Sequence, residues 1–170
     1  MLIINPNIFM SRKKSLSGIA TYADLLEFIH SSAANNITDE EAIKFYENAP
    51  SSWQQTLLNV CPPSPEVEKV IVNYGDEDTV HLLRVRYGFY PQTIEWAMAQ
   101  DSPEVAERVV KNLKTKPNSH IEELMVRRGE SELLRLWVEK FHHLDDDAER
   151  VLNQEPALNS LLHLYIELQS

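Results

Sequence analysis

Apolar residues recur along the C-terminal two thirds of the chain with a period of 27 residues, starting at Ser64. Within the first period, positions with the spacing of a helix face occupy 67–74 and again 79–87, and the arrangement returns three times without an insertion. The pattern therefore predicts four pairs of helices. The recurring columns are Val67, Ile94, Ile121 and Ala148; Val70, Ala97, Leu124 and Val151; Ile71, Met98, Met125 and Leu152; and, in the second helices, Leu83, Val110, Trp137 and Leu164.

Residues that interrupt or cap helices separate the two halves of each unit, which makes each unit a helical hairpin. They are Gly75, Ser102, Gly129 and Pro156. Two short helices cannot bury both of their apolar faces alone, so neighbouring hairpins are expected to stack around a shared core. The sequence thus predicts an all-α fold, an α-solenoid of helical hairpins with a 27-residue repeat. The predicted hairpins span residues 65–87, 91–114, 119–142 and 145–168.

The N-terminal third of the chain has a different organisation. Residues 1–20 contain three basic residues, no acidic residue and no helical period, so they are predicted to form a flexible tail. Residues 21–63 are predicted to form irregular helices that cap the array, with N-caps at Thr21 and at Thr38, the latter being the better capping box. Residues 64–170 then form the four repeats.

Composition narrows the class of partner. The 170 residues include 4 Gly and 9 Pro, which favours capped helices over a sheet with tight turns. With 16 Lys and Arg against 26 Asp and Glu, the net charge is −10, and this field repels nucleic acid and anionic lipid. No apolar stretch has the length of a membrane span, and the start of the chain does not resemble a Sec signal peptide. The single cysteine, Cys61, cannot form an intrachain disulfide and leaves the redox compartment open.

Basic residues nevertheless form a ladder on the predicted second helices, on the side facing away from the apolar columns. His81, Arg108 and Arg135 share one column, with Arg84 and Lys111 one turn further along. Arginine donates forked hydrogen bonds to carboxylates, so this ladder predicts binding of an acidic peptide or protein surface. The alternative interpretation is an ordinary solvated face whose charges pair with one another.

Two further columns contain surface candidates. Glu68, Glu95, Glu122 and Glu149 form an acidic column beside the apolar residues of the first helices, and we expect it to be exposed. Trp96 stands in a column otherwise occupied by charged residues. It should therefore be partly exposed, which makes it a candidate interface anchor or a residue that packs under a loop.

Catalytic and metal-binding motifs were sought in the sequence. There is no HExxH, paired CxxC, Gly-rich phosphate loop or GxSxG, so no cofactor is predicted. The segment from His142 to Asp147 contains metal-ligand residue types, but it crosses a predicted helix break where Asp145 serves as an N-cap, and we predict no metal site. Cys61 with a histidine would be the only basis for a small hydrolase or deaminase. We therefore favour a non-enzymatic role.

The N-terminal segment resembles the start of type III secreted effectors of the leucine-rich-repeat class related to IpaH and YopM. The resemblance is carried by Met1-Leu2-Ile3-Ile4-Asn5-Pro6-Asn7, Leu16-Ser17-Gly18 and Thr21-Tyr22-Ala23-Asp24, and it covers about the first 25 residues. It implies an export signal and delivery into a host cell, where such effectors bind host proteins. The rest of the chain has no LxxLP pattern, so neither the repeat fold nor the ligase activity of that family is expected here.

We therefore predict a protein-interaction module built from α-helical repeats, with a bacterial effector as one setting for it. In that setting the protein would be secreted into the host cell; otherwise it would remain in the bacterial cytoplasm. The alternatives are a cysteine-dependent hydrolase or deaminase and a cytosolic chaperone or scaffold. The predicted protein-binding residues are His81, Arg84, Trp96, Arg108, Lys111 and Arg135.

Overall fold

A computed structural model describes residues 15–170 and is all-helical over that range, which confirms the predicted fold class. Three short 3₁₀ turns accompany the α-helices, at Leu16–Gly18, Ser32–Asn36 and Pro156–Leu158. The helices from residue 65 onward match the predicted spans to within two residues. The α-helices are α1 Tyr22–Ile29, α2 Asp39–Asn48, α3 Ser51–Leu58, α4 Pro65–Tyr74, α5 Glu77–Tyr87, α6 Pro91–Ala99, α7 Pro103–Asn112, α8 Ser119–Arg127, α9 Ser131–Phe141, α10 Asp146–Gln154 and α11 Asn159–Gln169.

Side-chain caps explain where several helices begin. The hydroxyl of Thr38 accepts from the Glu41 amide, and the Ser64 hydroxyl and the Asn118 side chain each accept from the amide three residues on. The reciprocal capping box predicted at Thr38 forms instead at Thr21, where both hydrogen bonds with Asp24 are present. These local contacts fix the start of each helix independently of tertiary packing.

The chain divides into two compact units, one up to Leu82 and one from Leu83 to Ser170, so the division falls inside α5. The sequence placed a boundary between residues 63 and 64. The difference has a physical reason, because α4, the first helix of the predicted repeats, packs against α2 of the N-terminal region.

The first unit has its own core. Helix α1 packs against α3, and α2 packs against both α4 and the turn Leu16–Gly18. Leu16 is only 4% exposed, so the packed structure of this unit begins before the predicted end of the tail at residue 20. Residues 1–14 lie outside the described part of the chain, and the export signal therefore stays a prediction.

The second unit is built from two parallel stacks of helices. The first helices of the hairpins pack in the order α6, α8, α10, and the second helices pack in the order α7, α9, α11. Each of the three hairpins also holds its own two helices together. The largest fully buried side chain of the molecule, Trp137 on α9, lies in this core.

The buried positions of the second unit do not keep a strict 27-residue interval. Helix α6 buries Thr93 and leaves Ile94 half-buried, one residue earlier than the period requires. Helix α9 buries Leu133 and Trp137 where α7 buries Val105 and Val109, one residue later than the period requires. The columns read from the sequence therefore drift around the helix from one hairpin to the next.

None of the helices between residues 15 and 170 is both long enough and apolar enough to cross a membrane.

Candidate functional site

The predicted ladder is distributed over both units. His81 is exposed on the part of α5 that belongs to the first unit. Arg84 on α5, Arg108 and Lys111 on α7, and Arg135 on α9 belong to the second unit. Lys111 and Arg135 are exposed, whereas Arg84 and Arg108 are half-buried.

Lys140 on α9 joins this group, although the sequence analysis did not select it. Its ammonium group donates hydrogen bonds to the carbonyl oxygens of Lys111 and Leu113, at 2.5 and 2.7 Å, and so lies at the C-terminal end of α7. Burial, together with the positive charge of the nearby Arg84, lowers the pKa of Lys140 below the ordinary lysine value. We call Arg84, Arg108, Lys111, Arg135 and Lys140 the basic face.

Arg84 shows that the positive charges at this end of α7 lack a full set of acceptors. Its Nε atom is buried and has no hydrogen-bond partner among the described residues. A buried donor without an acceptor is costly, so an acceptor supplied from outside would be stabilising here. Over residues 15–170, neither Arg84, Lys111 nor Lys140 makes an ion pair within 4.0 Å.

Acidic neighbours partly neutralise the other two arginines. Arg135 lies 3.7 Å from Glu132 on the same helix, and Arg108 lies close enough to Glu104 to help lower the pKa of that carboxyl, after the larger effect of the Ser102 hydroxyl. Because the burial pattern lengthens between α7 and α9, Arg108 and Arg135 also stand one residue out of register. Part of the predicted ladder is thus the ordinary paired surface of the alternative interpretation.

Trp96 is half-buried on α6, and this agrees with the partial exposure that its column predicted.

The prediction of an exposed acidic column is wrong for two of its four members. Glu68 and Glu122 are fully buried, Glu149 is half-buried and only Glu95 is exposed. The column lies close enough to the apolar positions that its members turn into the core wherever polar partners are available to them.

Glu122 shows which partners make burial of a carboxylate possible. It accepts a hydrogen bond from Trp137 Nε1 at 2.7 Å and another from the backbone amide of Asp145, and it pairs with Lys116 Nζ at 3.0 Å. Lys116 also pairs with the Asp145 side chain at 2.7 Å, so that side chain does not form the predicted N-cap hydrogen bond. Burial alone would lower the pKa of Lys116, but hydrogen bonds to Asp145 and Glu122 outweigh this effect and raise it.

Arg128 is a second structural cation that the sequence analysis missed. Its guanidinium donates to the carbonyl oxygens of Met98, at 2.7 Å, and of Gln100, both at the C-terminal end of α6, and it pairs with Glu130 at 2.7 Å. Arg128 and Lys140 thus each neutralise the negative end of a helix in the preceding hairpin. Their role in binding a partner is correspondingly smaller than their charge alone indicates.

Cys61 lines a cavity of about 280 Å³ in the first unit, together with Ala34, Thr38, Tyr46 and Pro63. No histidine, lysine or arginine is among the described residues that line it. Burial raises the pKa of the Cys61 thiol, which disfavours the thiolate that nucleophilic catalysis requires. The cysteine-enzyme alternative therefore gains no support from this site.

We expect iodoacetamide to alkylate Cys61 about tenfold more slowly in the native protein than in the denatured chain at neutral pH, because burial both shields the thiol and raises its pKa. The measurement is a time course of mass increase, with the protein in concentrated guanidinium chloride as the control. A native rate above the denatured rate would reveal an activated thiolate and would revive the enzyme alternative.

Over residues 15–170, no group of three or more His, Cys, Asp or Glu side chains is arranged to hold a metal ion. In the segment that concentrates such residues, His143 Nδ1 lies 2.6 Å from Gln169 Oε1, and Asp147 pairs with Arg150 at 3.2 Å.

Comparison with protein-family models, curated proteins and solved structures finds no match. The assignment of function therefore rests on the chemistry of the basic face. Its ammonium and guanidinium groups can donate to carboxylates, but it contains no arrangement of nucleophile, base and bound cofactor.

Proposed function

We propose that this protein is an interaction module in which α-helical hairpins with a mean repeat of 27 residues form an α-solenoid that binds an acidic segment of a protein partner. The stacking of successive first helices and of successive second helices in the second unit supports the repeat architecture. The uneven register is compatible with it, because insertion or loss of one residue in a loop leaves the helix packing intact.

The observation that carries the binding proposal is the group of cations at the C-terminal end of α7. Arg84 and Lys140 lie close enough for their charges to repel, and Lys111 stands exposed beside them. Such crowding in a protein of net charge −10 is unfavourable unless something compensates for it. The carbonyl oxygens of α7 compensate for Lys140, and carboxylates of a partner would compensate for Arg84 and Lys111.

An extended or helical acidic segment fits this surface better than a nucleic acid does. A carboxylate can approach single cations on the basic face while keeping its distance from Glu104 and Glu132. The continuous phosphate backbone of DNA or RNA would meet the acidic remainder of the protein as well. We therefore assign the partner to the class of acidic proteins.

The double substitution Arg108→Glu with Lys111→Glu tests this proposal. We expect it to weaken binding of a fluorescent hexaglutamate peptide about tenfold at low ionic strength, and to reduce the dependence of the dissociation constant on salt. Fluorescence anisotropy measures both quantities, and a pull-down with the wild-type protein and the variant extends the comparison to natural partners.

The matched control is Lys44→Glu with Lys69→Glu, which changes the net charge by the same amount on the first unit. We expect the control to retain nearly the wild-type affinity. Equal weakening by both double variants would show that the peptide responds only to net charge. Failure of the wild-type protein to bind the peptide would exclude an acidic segment as the ligand.

A further inference from the structure

A groove of about 600 Å³ lies at the C-terminal ends of α9 and α11, next to the basic face. Val138 and Leu168 supply apolar lining, while Arg135, Glu139, His142 and His143 supply the polar lining. Arg135 belongs to both the groove and the basic face, which makes the groove an extension of that surface. The apolar side chains and the imidazoles together give the groove a mixed character that the rest of the basic face lacks.

The turn that forms one side of the groove has a strained backbone. His142 has φ 68° and ψ −53°, and it is the only non-glycine residue in the described part of the chain with positive φ. The amide of His143 donates to the carbonyl of Phe141 at 2.8 Å, which closes a three-residue γ-turn around His142. A side chain is retained in such a conformation at a cost in stability, and residues of this kind concentrate at binding sites.

Hydrogen bonds hold both imidazole-bearing residues in place. Gln169 Oε1 can only accept, so His143 Nδ1, at 2.6 Å from it, carries the hydrogen, and Nε2 is the atom left to gain a proton. The Gln169 amide nitrogen donates to the His142 carbonyl at 2.8 Å, and Lys116 Nζ donates to the His143 carbonyl at 2.7 Å. The two rings are therefore attached to a backbone that is fixed from two directions.

The charge of the groove depends on the two imidazoles. Arg135 and Glu139 on α9 offset each other, Gln169 on α11 is neutral, and Lys116 approaches only the backbone of His143. The contact between Arg135 and Glu132 spans 3.7 Å with both side chains largely exposed, so it is weak. With neutral imidazoles the groove has no net positive charge, and protonation of both makes it doubly positive.

We propose that this groove binds a carboxylate of the acidic partner segment, with a neighbouring apolar side chain of that segment against Val138 and Leu168, and that it does so when His142 and His143 are protonated. This inference rests on the proposed function and specifies it. The partner would carry an acidic residue next to an apolar one, and the complex would be strengthened by mild acid. Carboxylates remain ionised in the range where imidazoles gain their protons, so the attraction has a pH window in which to operate.

The test uses the full chain and the peptide Glu-Glu-Leu-Glu-Glu-Glu at about pH 6 and about pH 8. At the lower pH we expect the imidazole NMR signals of His142 and His143 to shift saturably, while those of the other four histidines stay in place. We also expect the wild-type protein to bind the peptide about fivefold more tightly at the lower pH. The double variant His142→Gln with His143→Gln should lose this difference, and the control His163→Gln on α11 should keep it.

The variant His142→Gly separates binding from stability. Glycine adopts positive φ without strain, so the melting temperature should rise while binding at the lower pH weakens. A fall in both quantities would mean that the imidazole serves packing, and it would overturn the proposal. Equal affinity at the two pH values with unmoved His142 and His143 signals would also overturn it, but would leave the proposed function standing if Arg108→Glu with Lys111→Glu still abolishes binding. Absence of binding at both pH values would overturn the two together.

Discussion

The substitution Trp137→Ala is expected to lower the free energy of unfolding by about 3 to 5 kcal/mol, the range for truncating a buried aromatic residue. Trp137 is 0% exposed, and its ring packs edge-on against Phe141 with the centroids 5.1 Å apart. Its indole N–H also donates to the buried carboxylate of Glu122. The substitution therefore opens a cavity and removes a donor from a buried acidic group at the same time.

Urea unfolding followed by far-UV circular dichroism measures this effect, and Trp96→Ala is the matched control. Trp96 is half-buried on α6, and its truncation should cost about 1 to 2 kcal/mol because less apolar area is lost. If the two substitutions were equally destabilising, the assignment of Trp137 to the centre of the second unit would be wrong.

The substitution Lys116→Met should have the second largest effect, a loss of about 2 to 3 kcal/mol near neutral pH. It removes the cation that neutralises Glu122, and an unpaired buried carboxylate is strongly unfavourable. The side chain of Lys116 is 26% exposed, which places the expected loss below that of a fully buried pair. The loss should shrink as the pH falls, because a protonated carboxyl group has no charge to neutralise.

The same pair also predicts behaviour at high pH. Because the pKa of Lys116 is raised, its contribution to stability is complete below the ordinary lysine pKa and is lost as the pH rises through the raised value. The control is Lys44→Met, which removes an exposed ion pair with Glu40 and should change stability by at most about 0.5 kcal/mol. Comparable losses in the two variants would show that Glu122 does not depend on Lys116.

Local sequence cues were sufficient to predict the helices. Ser64 and Asn118 accept hydrogen bonds from the amides of their own first turns, so the start of a helix is encoded within four residues. The apolar spacing then identified the core faces, and Ile71, Met98 and Met125 are all buried as their column required. Helix position and helix facing are properties of short segments, which explains why they could be predicted.

Features that depend on distant partners could not be predicted in the same way. Glu122 is buried because Trp137 and Lys116 reach it, and neither contact has a signature in sequence spacing. Lys140 belongs to the basic face because it meets the end of α7, about thirty residues earlier in the chain. The strain at His142 was equally hidden, since histidine is not a residue that marks a positive φ in a sequence.

The contacts at the helix ends give the second unit a direction. Arg128 satisfies the end of α6, Lys140 satisfies the end of α7, and Gln169 satisfies the end of α9, so in each case a later hairpin completes an earlier one. A ribosome releases the chain from its N-terminus, and each hairpin emerges before the residue that finishes it. During synthesis the newest hairpin is therefore always incomplete, and the unit reaches its final stability only when the last turn of α11 has been made.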